Sequence, residues 1–425
     1  MQLKPYWLET RTPFTAGRKG DLPARASVVV IGGGFTGLSA ARTLARRGID
    51  TVLLEAGEVA SAASGRNGGH CNNGTAADLL GLANSMGAEE ARRYYRMYDD
   101  AVDFAEETIR EEQIDCDFVR NGKIKLAAKP GHVEGMKRSA EYMAREVEPD
   151  LVFLEGADLQ AEVCSDAFHA GIVMPRGAQM HMGRYGVGLA EAAAQHGAAI
   201  YEHTPVTSLR RTSGGRWNVG TALSEIEAEA VLVCTGPSLE GPFGWLRRRT
   251  IPMGSFIVAT EPLSESQIAG SMPGRRNCVT SRHIGNYFRL TGDNRMIFGG
   301  RARFALSNPT SDAKAGDILR RSLAHHFPAL ADVPIAYTWG GVLDMTPDRL
   351  PRAGEHEGLF YAVGMSGHGV QFSGYIGDRM ARVIAGESDA NPLARKRFSA
   401  IPGHLGPPWF LPFVGAWYRY LDSRS

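Results

Sequence analysis

The first strong pattern is a run with no polar interruption, VVVI, closing the segment Ser27 to Ile31. Continuous β-branched residues predict a parallel strand buried on both faces. The period then becomes helical. Leu38, Ala41, Leu44 and Ala45 share one face of a helix predicted from about Thr36 to Arg47, with Gly48 as its stop. Thr51 to Leu54 is a second apolar strand, ending at Glu55. Strand, helix and strand in this order predict a βαβ unit.

Further along, Ala88 to Glu112 is helical in pattern and strongly charged. Lys123–Ala128 reads as a strand, Val133–Val147 as a helix and Leu151–Leu154 as a strand. Leu189–Gln195 reads as a helix stopped by Gly197, followed by a strand at Ala198–Tyr201. His203–Arg211 and Trp217–Thr221, joined through Gly214-Gly215, predict a hairpin. Ala230–Cys234 is an apolar strand finished by the tight turn Thr235-Gly236-Pro237. Phe256–Thr260, Tyr287–Leu290 and Met296–Phe298 predict strands of a second sheet. A last unit places a strand at Leu359–Val363, a loop at Gly364–Gly369 and a helix at about Gly374–Ala385, stopped by Gly386.

The turn after the first strand carries chemistry. Gly32, Gly34 and Gly37 have G-x-G-x-x-G spacing between a strand and a helix. Gly32 permits a sharp turn, Gly34 removes a side chain where backbone approaches a pyrophosphate, and Gly37 lets the helix lie close to the strand. Helix N–H groups favour the anion, and a carboxylate at Glu55 can accept from ribose hydroxyls. The loop Gly364–Gly369 is a second glycine-rich strand-to-helix turn, more than 300 residues away. One nucleotide half does not need two such loops, so a long ligand such as a flavin dinucleotide accounts for both.

Composition narrows the class. A chain of 425 residues exceeds one ordinary core and predicts two domains. With 47 basic and 46 acidic residues, a nucleic-acid partner is disfavoured. The cysteines at 71, 116, 164, 234 and 278 have no C-x-x-C or zinc spacing, which predicts a reducing compartment and no metal site. The N-terminal residues lack an apolar signal region, so a cytoplasmic location is expected. The run Pro407–Tyr420, PPWFLPFVGAWYRY, is too short and too broken by Pro412 to span a bilayer. Packing on the protein or on a partner subunit is the favoured reading, and dipping into a membrane surface the lesser one.

The segments GGGFTGLSAARTLARRG, LLEAGEVASAASGRNGG, YFRLTGDNRMIFGGR, WGGVLDMTPDRLPRAG and FYAVGMSGHGVQFSGYIGDRMARVIAG resemble the FAD-dependent D-amino-acid oxidase superfamily. Within it, the likeness is to the γ-glutamylputrescine oxidase and glycine/sarcosine oxidase-like branch. The blocks ASGRNGG and SGHGV are the most specific. The resemblance implies an α/β protein with a discontinuous, Rossmann-like FAD domain over 1–84, 151–238 and 338–400. A substrate domain with a mixed or antiparallel sheet and helices would take 85–150 and 239–337, leaving an aromatic tail at 401–425. It also implies site roles. Gly32, Gly34, Phe35, Thr36 and Gly37 would hold the pyrophosphate, and Glu55 with Ala56 the ribose. Ser64, Gly65, Arg66, Asn67, Gly68 and Gly69 would line the isoalloxazine. Val206, Thr235 and Gly236 would border the adenine half. Gly364, Ser366, Gly367, His368, Gly369 and Val370 would close over the pyrimidine end.

The implied reaction is hydride loss from the carbon beside nitrogen of a small amine or amino acid, imine hydrolysis, and reoxidation by O2 or another acceptor. It needs positioning more than acid–base catalysis, and the sequence has no triad pattern. Three departures from the best-known relatives bear on substrate. The Thr346-Pro347-Asp348 stretch has no upstream cysteine, so non-covalent FAD is expected; His70 and Cys71 are a lesser attachment point. Gln371 stands where a carboxylate-binding lysine is found, and apolar Leu343 near an expected arginine. Met296–Phe298 has no oxygen-activating lysine, leaving oxidase and dehydrogenase both open. Pocket candidates are Arg66, Tyr287, Arg289, Trp339, His368 and Gln371, with Arg301 a further source of charge. Arg289 as an exposed strand residue, Tyr287 and Trp339 as core, and His368 as a loop-shaping residue are the plainer readings. Alternatives to γ-glutamylputrescine oxidase-like chemistry are glycine, sarcosine or D-amino-acid oxidation, a nicotinamide dehydrogenase, an FAD hydroxylase, and a flavin-binding subunit without turnover.

Overall fold

The computed structural model describes every residue except Ala76, Ser238 and Ser425. Ser238, the last residue of the expected FAD-domain segment 151–238, therefore lies outside the described residues. The chain builds two large sheets. In the first, Arg25–Ile31 is central and runs parallel to Thr51–Leu54 on one side and Glu225–Val233 on the other. Ala199–Tyr201 and Leu359–Val363 extend it, also in parallel. Arg352–His356 closes one edge as an antiparallel hairpin strand. The predicted hairpin forms as Val206–Arg211 and Trp217–Thr221, attached to Glu225–Val233.

The second sheet orders Ile335–Met345, Ile251–Pro262, Arg295–Gly300, Asn286–Leu290, Asn277–Thr280, Lys123–Leu126, Gly171–Met174 and Val152–Leu154. It is antiparallel except where Asn277–Thr280 meets Lys123–Leu126. Here sheet membership corrects the expected boundaries. Val152–Leu154, Gly171–Met174 and the strand through residues 338–345 join the second sheet, not the nucleotide-type one. The residues between Leu154 and Tyr201 change layers, which an apolar pattern alone does not mark, since either sheet buries such strands.

Glycines set the close approaches that assemble the first layer. A Cβ on Gly37 would lie 1.9 Å from the Gly32 carbonyl oxygen, so the helix Phe35–Arg46 sits on its strand only with glycine there. Helix Gly369–Ile384 packs against the same helix across Gly374 and Gly377, and a Cβ on Gly377 would lie 2.2 Å from the Thr36 carbonyl oxygen. Ser39 donates to the Gly374 carbonyl at 2.7 Å and Thr43 to Asp378 at 2.9 Å. This packing sets the first turn of the one helix, at Thr36, against the middle of the other, at Gly377.

The C-terminal run is a helix, Leu411–Arg424. Leu411 and Gly415 are buried, and Tyr418 stacks on His283 at 5.6 Å. The Asp422 carboxylate accepts the backbone N–H groups of His283 and Ile284 at 2.9 Å each. One face is therefore packed, as expected, while Trp409, Phe413, Trp417 and Tyr420 stand exposed along the other. No helix among the described residues is long and apolar enough to cross a membrane.

Candidate active site

A cavity opens between the two sheets. Its walls come from the loop after Ala63, the strands Ile251–Pro262, Asn286–Leu290 and Ile335–Met345, and the second glycine loop. Ala63, Arg66, Asn67, Gly68, Tyr287, Ser366, Gly367, His368, Val370 and Gln371 all line it. Each enclosing loop is fixed in a different way.

The first loop is held by its carbonyls. Trp339 Nε1 donates to the Arg66 carbonyl at 3.0 Å, Trp7 Nε1 to that of Asn67 at 2.7 Å, and Arg289 Nε to that of Gly68 at 2.7 Å. Three successive carbonyls point into protein, so peptide planarity turns the N–H groups of Asn67 and Gly68 away from those anchors. Asn67 also donates to the Ser64 carbonyl at 2.7 Å and accepts the Gly69 N–H at 2.8 Å. Gly65 is buried, and a Cβ there would lie 2.0 Å from the Ala60 carbonyl oxygen.

The second loop is held by its amides. Asp344 accepts the N–H groups of Gly364 at 2.5 Å and Met365 at 3.2 Å, and its own carbonyl accepts that of Ser366 at 3.0 Å. Ser366 Oγ donates to the Gly364 carbonyl at 3.0 Å and accepts from Thr346 N at 3.1 Å. Backbone φ is positive at Gly364, Ser366 and Gly367, so the loop bends tightly before the helix that starts at Gly369. Burial pushes Asp344 up to about 6, against the pull of the amides it accepts.

At the other end of the first layer, Glu55 accepts the N–H groups of Gly33 at 2.6 Å and Gly57 at 2.7 Å. Burial raises its carboxyl above the ordinary range. Ser64 Oγ accepts from Phe35 N at 3.1 Å, tying the first flavin-type loop to the helix whose N-cap is Gly34. Thr36 and Phe35 open that helix and are buried; Ala56 is exposed. A Cβ on Gly32 would lie 2.7 Å from the Cys234 carbonyl oxygen and 3.4 Å from Thr235 Cα, which puts Thr235 and Gly236 beside the first glycine turn. Thr204 N donates to the Glu55 carbonyl at 2.7 Å, so the strand opening at Val206 starts close by.

Two of the pocket candidates are corrected. Arg289 is neither exposed nor on the cavity wall. It is buried, donating to the carbonyls of Gly68, Met180 at 2.8 Å and Leu290 at 3.2 Å, and lies over the Trp7 ring. Its strand turns it toward the back of the loop, and burial, only partly offset by Tyr6 and Asp117, pulls it down to about 9. Trp339 is also behind the loop, buried, with its indole on Arg66. Both shape the wall without forming it.

The remaining candidates do face the cavity. Arg66 is braced by the Ser61 carbonyl at 2.9 Å and the Gly340 carbonyl at 3.2 Å. Tyr287 Oη is 3.1 Å from Ser255 Oγ, and burial raises its phenol to about 12. Burial lowers His368 to about 4, so its ring is uncharged at neutral pH. His368 Nδ1 and Gln371 Oε1 are buried with no hydrogen-bond partner among the described residues. Gln371 Nε2 donates to the Asn72 carbonyl at 2.5 Å. Cys71 is buried in the core and pushed well up by burial, a poor nucleophile; His70 lines the cavity, lowered to about 3.

Residues 27–383 match the family of FAD-dependent oxidoreductases. The chain belongs to that family. It is 31% identical to γ-glutamylputrescine oxidoreductase of Escherichia coli over 406 residues, covering 93% of this chain and 92% of that one. It is 27% identical to glycine oxidase of Geobacillus kaustophilus, over 90% of this chain and 99% of the other. The crystal structure of that glycine oxidase superposes with a TM-score of 0.73 at 23% identity, covering 90% of this chain and all of its own, a likeness of fold. The chain is thus an FAD-dependent oxidoreductase with the α/β fold of this family. The residues present suit the cofactor. A glycine turn and helix N-terminus match a pyrophosphate, and the buried, unpartnered His368 Nδ1 and Gln371 Oε1 match a polar ring system.

Arg282, Arg349 and Ser255, which also line the cavity, were not singled out by the sequence, nor was Asp344. Arg349 sits in a turn at positive φ and Arg282 just beyond the strand Asn277–Thr280. Arg349 follows Thr346-Pro347-Asp348 in a segment that carries the family resemblance, whereas no local motif marks Arg282.

Proposed function

We propose that this enzyme oxidises the carbon–nitrogen bond of a small amine or amino acid, with FAD held non-covalently. The observation that carries the reading is the cavity, walled by the Ala63–Gly68 loop and the Ser366–Gln371 turn, without a carboxylate or charged histidine on its wall. Bound FAD supplies the hydride acceptor. The chain supplies everything else. Gly32 to Gly37 and Glu55 hold the adenosine and pyrophosphate end, with Thr235, Gly236 and Val206 at the adenine side. The Asn67 and Gly68 amides, fixed by the carbonyl anchors behind them, would be available to the isoalloxazine. The loop Gly364–Val370 and the helix N-terminus at Gly369 would supply donors that stabilise negative charge on the bound flavin.

Tyr287, Ser255 and the uncharged His368 offer hydrogen bonds to substrate nitrogen. With no carboxylate on the wall, and with burial leaving His70 and His368 only weakly basic, substrate enters as the neutral amine, and orientation does the work. The buried, unreactive setting of Cys71 and the absence of cysteine near Thr346 favour non-covalent FAD. The likeness to γ-glutamylputrescine oxidoreductase supports a primary or secondary amine on a longer chain over glycine, as does Leu343 on the cavity wall.

Anaerobic mixing of the yellow protein with polyamines, γ-glutamylated amines, N-methyl amino acids and D-amino acids tests this. Bleaching of the visible flavin band by amines is expected, and no bleaching across the panel refutes it. Acid precipitation should leave all yellow colour in the supernatant; colour in the pellet refutes non-covalent attachment.

A further inference from the structure

The oxidation chemistry leaves the C-terminal helix, Leu411–Arg424, without a use. Its residues divide onto two faces. Leu411, Gly415, Tyr418 and Asp422 recur at helical spacing and turn inward. Leu411 clusters with Met253 and Met345, and a Cβ on Gly415 would lie 2.6 Å from the Phe304 ring. Tyr418 stacks on His283, and the Asp422 carboxylate takes the His283 and Ile284 amides. Phe413, Trp417 and Tyr420 recur at the same spacing on the opposite face. Leu405 and Trp409, in the segment leading into the helix, are exposed as well. Exposure of these five runs from 44% at Tyr420 to 76% at Leu405. Single exposed apolar residues are ordinary, but a run of them along one helix face marks an interaction surface.

The charge around this face has one sign. From Ile401 to Arg424 the sequence carries two arginines, Arg419 and Arg424, and one carboxylate, Asp422. Both arginines are exposed, and Arg424 lies over the Tyr420 ring at 4.7 Å. Asp422 is the residue turned inward onto backbone amides. At the other end, Ile401 N donates to the Arg248 carbonyl at 2.9 Å, and His404 Nε2 lies 2.8 Å from the Thr250 carbonyl. Exposed Arg248 therefore flanks the segment that leads into the helix. None of these three arginines has an ion pair among the described residues.

We propose that this helix docks the enzyme on a membrane surface that carries anionic lipid, lying in the plane of the interface without crossing it. Tryptophan, tyrosine and phenylalanine flanked by arginine suit the boundary between headgroups and acyl chains, where the rings are buried and their N–H and O–H groups stay wet. The arginines meet lipid phosphates. The inner face is already fixed to the protein, so docking has no helix to order. A second copy of the chain suits the face less well. A twofold contact would set the patch on itself, and exposed arginine would meet arginine with no carboxylate opposite.

The test sediments the FAD-loaded enzyme with vesicles of phosphatidylcholine alone, or with about one-third phosphatidylglycerol added. Binding to the mixed vesicles should be about tenfold or more tighter, and should weaken as salt is raised. R419Q and R424Q should each weaken it by about fivefold, and F413E combined with W417E should abolish it. Brominated lipid should quench the fluorescence of Trp409 and Trp417, while Trp7 and Trp339 are buried in the protein; W409F with W417F should lose the quenching. Each variant is to keep the wild-type flavin spectrum and Tm, which separates lost docking from lost folding. No sedimentation with either vesicle overturns the proposal, as does binding to the mixed vesicles that F413E with W417E leaves unchanged. So does a concentration-dependent dimer, in sedimentation equilibrium without lipid, that the same double variant dissolves, since a second copy then covers the face.

Discussion

Replacing Arg289 with methionine separates a wall-shaping residue from a substrate-binding one. The guanidinium makes three hydrogen bonds, to the carbonyls of Gly68, Met180 and Leu290, at 2.7, 2.8 and 3.2 Å. Charged donors of this kind contribute roughly 1.5–3 kcal/mol each, together roughly 4–9 kcal/mol. Against this stands the cost of burying the charge, which Tyr6 and Asp117 offset only in part. The fall from 12.5 to about 9 corresponds to about 5 kcal/mol. R289M removes both terms, so the expected net loss of global stability is only about 2 kcal/mol. The local effect is larger in consequence. Without its anchor the Gly68 carbonyl is free to rotate, and the amides of the Asn67–Gly69 turn lose their direction. FAD affinity should fall by about tenfold or more, equivalent to about 1.4 kcal/mol. R289K, which can reach one carbonyl but not three, should fall between. The assay is FAD titration of apoprotein by fluorescence quenching, paired with thermal melting of the holoenzyme. If R289M binds FAD as wild type does yet raises the half-saturation for substrate, Arg289 is a substrate ligand and the anchoring argument is wrong.

Other outcomes follow from the same geometry. G37A should fail to retain FAD, since its Cβ would sit 1.9 Å from the Gly32 carbonyl oxygen; a yellow, fully loaded G37A protein would contradict this. Asp344 has a folded pKa of about 6, above its ordinary 3.8, so its ionised form is the costly one. Its contribution to stability is highest below about pH 4 and falls by about 3 kcal/mol as pH rises to about 6; D344N should flatten the wild-type decline in denaturant midpoint over that window, and parallel curves would refute the assignment. For amine substrates kcat/KM should climb with pH as the free amine fraction grows, with no descending limb from His368, which is already neutral above about pH 4; a bell with a limb between pH 6 and 8 would point to a catalytic histidine.

Local pattern carried much of the fold. The first βαβ unit, the hairpin near Val206 and the last strand-loop-helix unit are each specified by neighbours in sequence: apolar runs, a change of period, and glycines at positive φ such as Gly48, Gly197 and Gly386. Sheet membership was less legible. Gly171–Met174 is as apolar as a strand of the first layer, and only its pairing with Lys123–Leu126 assigns it to the second. The site divides in the same way. Ser64 to Gly69 and Ser366 to Val370 sit in motifs, whereas Asp344, Arg349, Arg282 and Trp7 act through contacts made across the fold. Arg289 shows the limit most clearly. Its position in an alternating strand specifies a face, but which neighbours occupy that face depends on a loop 221 positions away.

The arginines bear on the chemistry at both ends of the reaction. A substrate amine enters water mostly as an ammonium ion, which cannot release hydride from the adjacent carbon. In a cavity walled by four guanidinium groups and no carboxylate, like-charge repulsion and desolvation both lower the amine pKa. On the proposed amine chemistry, the neutral, reactive form would therefore be favoured without a carboxylate base. The same field, with the donors of the Gly364–Val370 loop, would favour an anionic form of FAD bound there. Under this reading one electrostatic arrangement does the two jobs that a base and an oxyanion site would otherwise divide. It also sets a condition on substrate: a molecule with a second cationic end is repelled, and one with an anionic end is drawn in. Spermidine and putrescine should thus be poorer reductants than an amine of equal length ending in a carboxylate. Placing a carboxylate on the wall by R349E should narrow that gap, because the same potential that rejects the second ammonium would be partly cancelled.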